Sequence, residues 1–414
     1  VKEIQEYSRY PKELMSEERL MNKRLAHYLI IGLITLLFVA CSPPQATIAP
    51  TSTVASTTQP PATETLISPT ATPLPPTDTP IPTVPPPPTN TPVPTPTKTP
   101  IPYPAARGVT HMAYDSGSNR IILFGGLRDY SRKPALKDNW VFEAETNTWT
   151  RMASALSLGL GAMDYDPIGD RIVFYLGSNA AYEMRKETWS YDLKSDTWTN
   201  LEPPEVPIGR FYTSMVYDSE SRRMILFGGQ NNEESGYYND TWAYDPENNT
   251  WKELTPKTSP SARAGAAIAY LPILDRVILF GGSGGFRNTA PFYNDTWLYD
   301  YNSNRWELLE PVESPPSRGF SAMVYVPSMD RIILYGGSSG EDTDVWVFDH
   351  EKTIWEKITP SSGPSTRTYH SMVYDPSTDK VIVFGGGTDW KTFTDETWFF
   401  DPHTNTWIDM TPTQ

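Results

Sequence analysis

Five arginines recur along the C-terminal part of the chain: Arg107, Arg210, Arg263, Arg318 and Arg367. Each stands a few residues ahead of a short apolar run, and Leu158 takes the equivalent place in a sixth copy. A guanidinium fork takes a carboxylate through two parallel hydrogen bonds, so a ring of such forks would hold an anion. In-chain acids such as Asp240 and Asp295, two residues ahead of a tryptophan, would satisfy the same forks. Both uses are open. The first predicts that Arg318→Ala abolishes ligand binding and leaves the melting temperature little changed.

Between the apolar runs lie aromatics in polar surroundings: Tyr130, Tyr182, Tyr237, Tyr238, Phe286, Phe292, Tyr293, Trp390 and Phe393. Aromatic faces beside Asn and Asp suit the recognition of sugars or proteins, and they equally fill gaps between packed sheets. Glu233, Glu234, Glu341, Asp342 and Asp389 share these segments. They are the acids on which proton-transfer chemistry would draw, but no motif singles one out. Cys41 is the single cysteine, which excludes intrachain disulfides and thiolate clusters, and the histidines (His27, His111, His350, His370, His403) show no zinc-like spacing. No metal and no cofactor is expected.

The formal net charge of −15 falls on one part of the chain. Residues 1–41 carry six Lys/Arg against five Asp/Glu, and residues 42–104 hold only Glu64, Asp78 and Lys98, so the remainder carries the whole −15. Such a surface repels phosphate backbones and anionic headgroups, which argues against nucleic acid and direct membrane docking. Neutral glycans, cationic ligands and proteins stay open.

From Met21 the chain reads Lys23 and Arg24, the apolar run Tyr28 to Ala40, then Cys41. A short basic stretch, about a dozen apolar residues and a small residue before the break make an export signal. Leu37-Phe38-Val39-Ala40-Cys41 resembles the bacterial lipobox, although Phe38 departs from its usual Leu. That resemblance implies cleavage between Ala40 and Cys41 and acylation of Cys41, with each buried acyl methylene worth about 0.8 kcal/mol. Residues 1–20 precede this start and read as a start-site misassignment. Between Ser42 and Pro104, 38 of 63 residues are Pro or Thr. Proline removes backbone donors and fixes φ, so residues 42–104 are expected to be a disordered, extended spacer.

Residues 105–414 repeat at about fifty residues, a period typical of propeller blades. Strand-like runs end in a glycine pair at Gly126, Gly229, Gly282, Gly337 and Gly386, with Leu176-Gly177 as a weaker sixth copy. Each copy then supplies two tryptophans nine apart: Trp140/Trp149, Trp189/Trp198, Trp242/Trp251, Trp297/Trp306, Trp346/Trp355 and Trp398/Trp407. Four short β-branched or aromatic runs per copy, separated by Asp/Asn/Ser/Gly clusters, predict a four-stranded meander A to D. One meander leaves its apolar faces exposed, whereas six arranged radially bury face on face. Met215, Leu226, Trp242 and Trp251 are expected in the core. The motifs resemble the kelch repeat family, which implies an all-β, six-bladed propeller of four antiparallel strands per blade. No strand need be shared between first and last copies, so blade 1 is expected to pack directly on blade 6.

The gap from glycine pair to first tryptophan runs 13, 11, 12, 14, 8 and 11 residues, whereas the tryptophan interval never varies. Rigid turns on one face and variable B–C loops on the other place recognition on the loop face. The recurring basic residues Arg120, Arg171, Arg223, Arg276, Arg331 and Lys380 belong to the other face and read as solvated turn residues. The resemblance implies a non-catalytic module that binds a protein or glycan, with Arg107, Arg210, Arg263, Arg318, Arg367, Tyr237, Tyr238, Phe292, Tyr293 and Trp390 as its binding residues. Kelch relatives also include sialic acid epimerases, so a sugar-acting enzyme is the alternative, with an envelope scaffold as a third. The copper oxidases of that family need a cysteine crosslinked to a copper-ligating tyrosine, and none remains here beyond Cys41. The expected protein is exported, monomeric and membrane-bound only through its lipid.

Overall fold

The computed structural model describes residues 102–129, 136–156, 159–179, 183–232, 236–285, 291–338, 343–388 and 392–412. The expected signal, Cys41 and residues 42–101 of the expected spacer lie outside the described residues; Tyr103, at the spacer's end, packs on Trp149 and Phe384 as part of the propeller. The described residues belong to a compact unit spanning Val93–Gln414.

Twenty-four strands form six four-stranded antiparallel sheets, each built from consecutive strands. Blade 1 is β1 (His111–Asp115), β2 (Arg120–Phe124), β3 (Asp138–Glu143) and β4 (Thr148–Ala155). Blade 2 is β5 (Leu160–Asp166), β6 (Arg171–Ser178), β7 (Met184–Asp192) and β8 (Thr197–Asn200). Blade 3 is β9 (Ser214–Asp218), β10 (Arg223–Phe227), β11 (Thr241–Asp245) and β12 (Thr250–Leu254). Blade 4 is β13 (Ala267–Leu271), β14 (Arg276–Phe280), β15 (Thr296–Asp300) and β16 (Arg305–Leu309). Blade 5 is β17 (Ala322–Val326), β18 (Arg331–Tyr335), β19 (Val345–Asp349) and β20 (Ile354–Ile358). Blade 6 is β21 (Ser371–Asp375), β22 (Lys380–Phe384), β23 (Thr397–Asp401) and β24 (Thr406–Asp409). This is the six-bladed, four-stranded propeller the repeat predicts. Among the described residues no helix is long and apolar enough to cross a membrane.

Strand B is apolar on both faces because a blade lies against a neighbour on each side, and β10, β14, β18 and β22 are buried from their second residue onward. Met215, Leu226 and Trp251 are buried as expected. Trp242 is only half-buried, because its indole N–H reaches outward to Asp240 Oδ2 at 2.8 Å. The second tryptophan of each pair lies against the strand C aromatic of its own blade, as in Tyr299–Trp306 at 4.9 Å. Its N–H reaches the preceding blade in three cases, Trp251 to Thr188, Trp306 to Thr241 and Trp355 to Thr296, at 2.8 to 3.0 Å.

The ring closes without strand exchange. Ile121 and Leu123 of blade 1 share a core with Val373, Ile382 and Phe384 of blade 6, and Ser371 Oγ donates to the Thr110 carbonyl at 2.6 Å. Direct packing of blade 1 on blade 6 is therefore what the structure contains. The basic residues on the turn face are a correction: they are ion-paired rather than merely solvated. Arg223 meets Asp245 at 2.8 Å, Arg276 meets Asp300 at 2.9 Å, Arg331 meets Asp349 at 3.1 Å and Lys380 meets Asp401 at 3.4 Å. Arg120 pairs with Glu143, and Arg171 turns to Asp166 of its own A–B hairpin.

Candidate recognition face

Each recurring arginine precedes strand A and is buried: Arg107, Arg210, Arg263, Arg318 and Arg367 are at most 3 % exposed. Three of the forks grip the acid ahead of strand C in their own blade with both terminal nitrogens: Arg107 on Asp138 (2.8 and 3.0 Å), Arg210 on Asp240 (2.5 and 2.8 Å) and Arg263 on Asp295 (2.6 and 2.8 Å). Arg367 Nη2 meets Glu396 at 2.6 Å. Arg318 donates to the Gly336 and Pro316 carbonyls, both at 3.1 Å. The first tryptophan completes the arrangement, since Trp140, Trp242, Trp297 and Trp398 donate to these same carboxylates at 2.7 to 2.8 Å. Burial pushes the Asp138, Asp295 and Glu396 carboxyls up. The hydrogen bonds and charge of Arg107, Arg263 and Arg367, with the indole N–H bonds, outweigh that effect and hold all three below the ordinary carboxylate range. Arg107, Arg210, Arg263 and Arg367 thus pair with in-chain acids, and each pairing lies within a blade. Removing Arg318 is therefore a change in a buried framework.

The arginine main chain does the joining between blades. Its carbonyl accepts from the second glycine of the preceding blade: Gly229 to Arg263, Gly282 to Arg318, Gly337 to Arg367 and Gly386 to Arg107, at 2.8 to 2.9 Å. Those glycines have φ between 87° and 106°, outside the range side chains tolerate, which explains why a glycine pair marks the repeat. Blade 2 lacks the first glycine, and β6 runs on to Ser178 instead, with register shifts on both sides.

The residue two beyond each arginine closes the channel at the loop face. Val109, Tyr212, Gly265, Phe320 and Tyr369 all have φ between 54° and 62°. Their main chains link in series, Gly265 N to Tyr212 O, Phe320 N to Gly265 O, Tyr369 N to Phe320 O and Val109 N to Tyr369 O, at 2.7 to 3.2 Å. Tyr212, Phe320 and Tyr369 pack against one another in edge-on and tilted contacts with ring centroids 4.5 to 5.5 Å apart. The arginine side chains, two residues earlier in the chain, are buried. Sequence reasoning missed the plug because aromatic and β-branched residues rarely adopt a left-handed φ, and the fixed offset from the arginine was its only signal. With the plug as part of its lining, the channel end holds a cavity of ≈ 220 Å³ lined by the first residues of five strands A and, in blade 6, by His370 just ahead of β21, with His111 also on its wall. Burial pushes His111 down to about 4 and His370 down to about 3, the latter helped by the Arg367 charge, so both are neutral at neutral pH. Among the described residues no three of His, Cys, Asp and Glu cluster as metal ligands would.

Around the plug stand the half-buried loop aromatics Tyr237, Tyr238, Phe292 and Tyr293. Tyr238 lies over the Arg210 guanidinium at 4.2 Å and Tyr293 over that of Arg263 at 4.1 Å, so these two rings cover the arginine forks. The Tyr237 hydroxyl donates to the Gly285 carbonyl of the next blade at 2.7 Å, and Phe292 lies beside Gly319. Phe393 is buried against Gly108. Trp390, Tyr130, Tyr182, Phe286 and the loop acids Glu233, Glu234, Glu341, Asp342 and Asp389 lie outside the described residues.

Comparison with known proteins agrees with this architecture. The model of the KLHDC2/KLHL20/DRC7 Kelch-repeats domain matches residues 162–363, and that of the Kelch motif matches residues 108–154. Kelch domain-containing protein 3 of Homo sapiens is 28 % identical over 140 residues, 33 % of this chain and 34 % of that protein; its Bos taurus counterpart gives the same values. The dynein alpha chain of the flagellar outer arm of Chlamydomonas reinhardtii is 33 % identical over 128 residues, 28 % of this chain and 3 % of that protein. The matched segment thus spans about a third, or far less, of these relatives' own length. What the chain carries, on the evidence of its glycine pairs, its paired tryptophans and these matches together, is a set of kelch repeats folded as a six-bladed β-propeller.

Proposed function

We propose that this propeller is a non-catalytic recognition module that binds a protein or glycan across its B–C loop face, displayed outside a bacterial cell by the lipid on Cys41 and the Pro/Thr spacer. One observation carries the reading: the loops vary from blade to blade, while a buried arginine, its acid and a tryptophan recur beneath them as a framework. A rigid base under variable loops is how recognition surfaces are commonly built. Kelch propellers commonly mediate protein interactions, which favours a protein partner. The plug leaves a broad face in place of a deep cleft, with Tyr237 and Phe292 as its aromatic contacts. The arginine forks support that face from below.

The test is a glycan array and a surface-crosslinking capture with the full chain, followed by proton NMR of any bound sugar. Binding without anomeric exchange or cleavage is expected, and Tyr237→Ala with Phe292→Ala should weaken it on the order of tenfold or more, measured where circular dichroism shows the variant folded. Turnover of a bound sugar would replace this reading with a sugar-acting enzyme. Cys41→Ser should release the protein from membranes and end its labelling by palmitate.

A further inference from the structure

The A–B turns end in a left-handed residue, and in five blades it is an amide or acid: Asn119, Asp170, Asp275, Asp330 and Asp379, with φ from 49° to 56°. Each accepts the hydroxyl of the strand A tyrosine of its own blade, from Tyr114, Tyr165, Tyr270, Tyr325 and Tyr374, at 2.7 to 2.9 Å. Two of these pairs also hold the preceding blade. Gly117 N donates to the Tyr165 hydroxyl at 3.1 Å, and Ser328 Oγ donates to Asp379 at 2.6 Å.

Blade 3 breaks the pattern. The same left-handed position holds Arg222, with φ 58°, and its strand A tyrosine is Tyr217. Among the described residues the Tyr217 hydroxyl makes no hydrogen bond and the Arg222 guanidinium no ion pair. A cavity of ≈ 310 Å³ opens there, between blade 2 and blade 3, lined by Tyr217, Arg222, Arg223, Arg171 and Ile168 among others. Arg171 is occupied by Asp166 at 3.2 Å and the Pro246 carbonyl at 2.7 Å, and Arg223 by Asp245 at 2.8 Å. Asp166, also on the wall, accepts the amides of Ile168 and Gly169, both at 3.1 Å, and Glu247 stands exposed at the rim. The groups left to receive a ligand are therefore a cation and a hydroxyl donor, with Ile168, 63 % exposed, as an apolar wall beside them.

We propose that this cleft binds a carboxylate on a short apolar stem, which takes the place of the acid that the neighbouring blades supply from their own chain. The carboxylate accepts from the Tyr217 hydroxyl and pairs with Arg222, while its stem lies against Ile168. Its source is an acidic side chain of a partner or a free short-chain carboxylic acid. The site is on the turn face, opposite the recognition loops.

Calorimetric titration of the full chain at fixed ionic strength, with chloride as reference anion, uses two probes: propionate and an end-blocked hexaglutamate peptide. Binding of at least one is expected, weakened on the order of tenfold by Arg222→Ala and severalfold by Tyr217→Phe, which leaves the ring and removes only a donor. Arg222→Asp restores the acid in the chain, so it should end binding and raise the ligand-free melting temperature. Propionate binding assigns a free acid as the source, and binding of the peptide alone assigns a protein side chain. Binding of neither probe, or binding that survives both Arg222→Ala and Tyr217→Phe, overturns the proposal.

Discussion

The seam between blades 3 and 4 and the seam between blades 2 and 3 hold together by different chemistry. At the first, main chain meets main chain: Gly229 N reaches Arg263 O, Arg263 N reaches Tyr238 O and Gly265 N reaches Tyr212 O, at 2.8 to 3.0 Å. The seams 4/5, 5/6 and 6/1 repeat the glycine bond and the left-handed bond. At the second, Tyr217 N donates to the Asp164 side chain at 2.7 Å, and Asp164 stands where the other strands A have alanine or valine. The seam between blades 1 and 2 is similar in kind, since Ala153 N and Ser154 N both donate to Asp196 Oδ2 at 2.9 Å and Ser154 Oγ to Asp196 Oδ1 at 2.5 Å. Where blade 2 lacks the arginine and the glycine pair, carboxylates replace the backbone latch. The comparison teaches that one ring can be joined in two ways. Main-chain bonds are indifferent to acid, and carboxylate bonds titrate.

The largest effect is expected from Arg263→Met, which removes the guanidinium from Asp295 and the Gly281 carbonyl and leaves Asp295 the Trp297 indole N–H. A loss of about 3 kcal/mol in urea unfolding is expected, the low end for a split buried pair because Asp295 is partly exposed. Gly282→Ala places a Cβ 3.1 Å from the Ala264 carbonyl at a φ of 100°, and should cost about 2 kcal/mol by the same measurement. Asp196→Ala removes the acceptor from two backbone amides and from Ser154, with an expected loss of about 1 to 2 kcal/mol. If Asp196→Ala costs more than Gly282→Ala, whose N–H bonds the Arg318 carbonyl of the next blade, the carboxylate seam is the stronger of the two kinds.

The smallest effect is the most discriminating. Burial raises Asp164 to about 6, partly offset by the Tyr217 and Tyr165 amides. A carboxyl raised on folding favours the native state below its unfolded value of about 3.8, and that contribution is lost as pH rises through about 6. Burial also pushes Asp196 up, but the bonds from Ser154, Tyr191 and Ala153 outweigh it and hold Asp196 down, so its contribution is present above its unfolded value and is lost at more acid pH. The two seams beside blade 2 therefore titrate in opposite senses. Neutral His111 and His370 make stability rise with pH over this range, and Asp164 opposes them, so Asp164→Asn should steepen the rise in melting temperature between pH 4 and 6, and Asp196→Asn should leave that slope unchanged.

Much of this was legible in the sequence because the ring repeats its physics. The glycine pair, the arginine and the two tryptophans recur since each blade must latch, cap an acid and fill the wedge toward its neighbour. The arginine's target was less legible. A fork ahead of strand A points at a ligand or at an acid according to the path of the loop between strands B and C, and sequence spacing does not give that path. The left-handed Val109, Tyr212, Phe320 and Tyr369 carry no marker of their own. Arg222 was legible in principle, because stacking the repeats sets it against Asn119, Asp170, Asp275, Asp330 and Asp379. Trp242 shows the opposite error, since a large apolar residue at a repeated position was taken for core when its N–H serves an acid near the surface.

Closure by contact alone has a topological consequence. Tyr103 and Met410, near the two ends of the described chain, pack into the same core between blades 1 and 6, and Asn147 Nδ2 donates to the Met410 carbonyl at 2.9 Å. No blade borrows a strand, so none is intrinsically first. A gene cut before Arg263 and rejoined by a short linker from Met410 to Tyr103 would encode a circular permutant, and it should rebuild the same ring from a different starting blade.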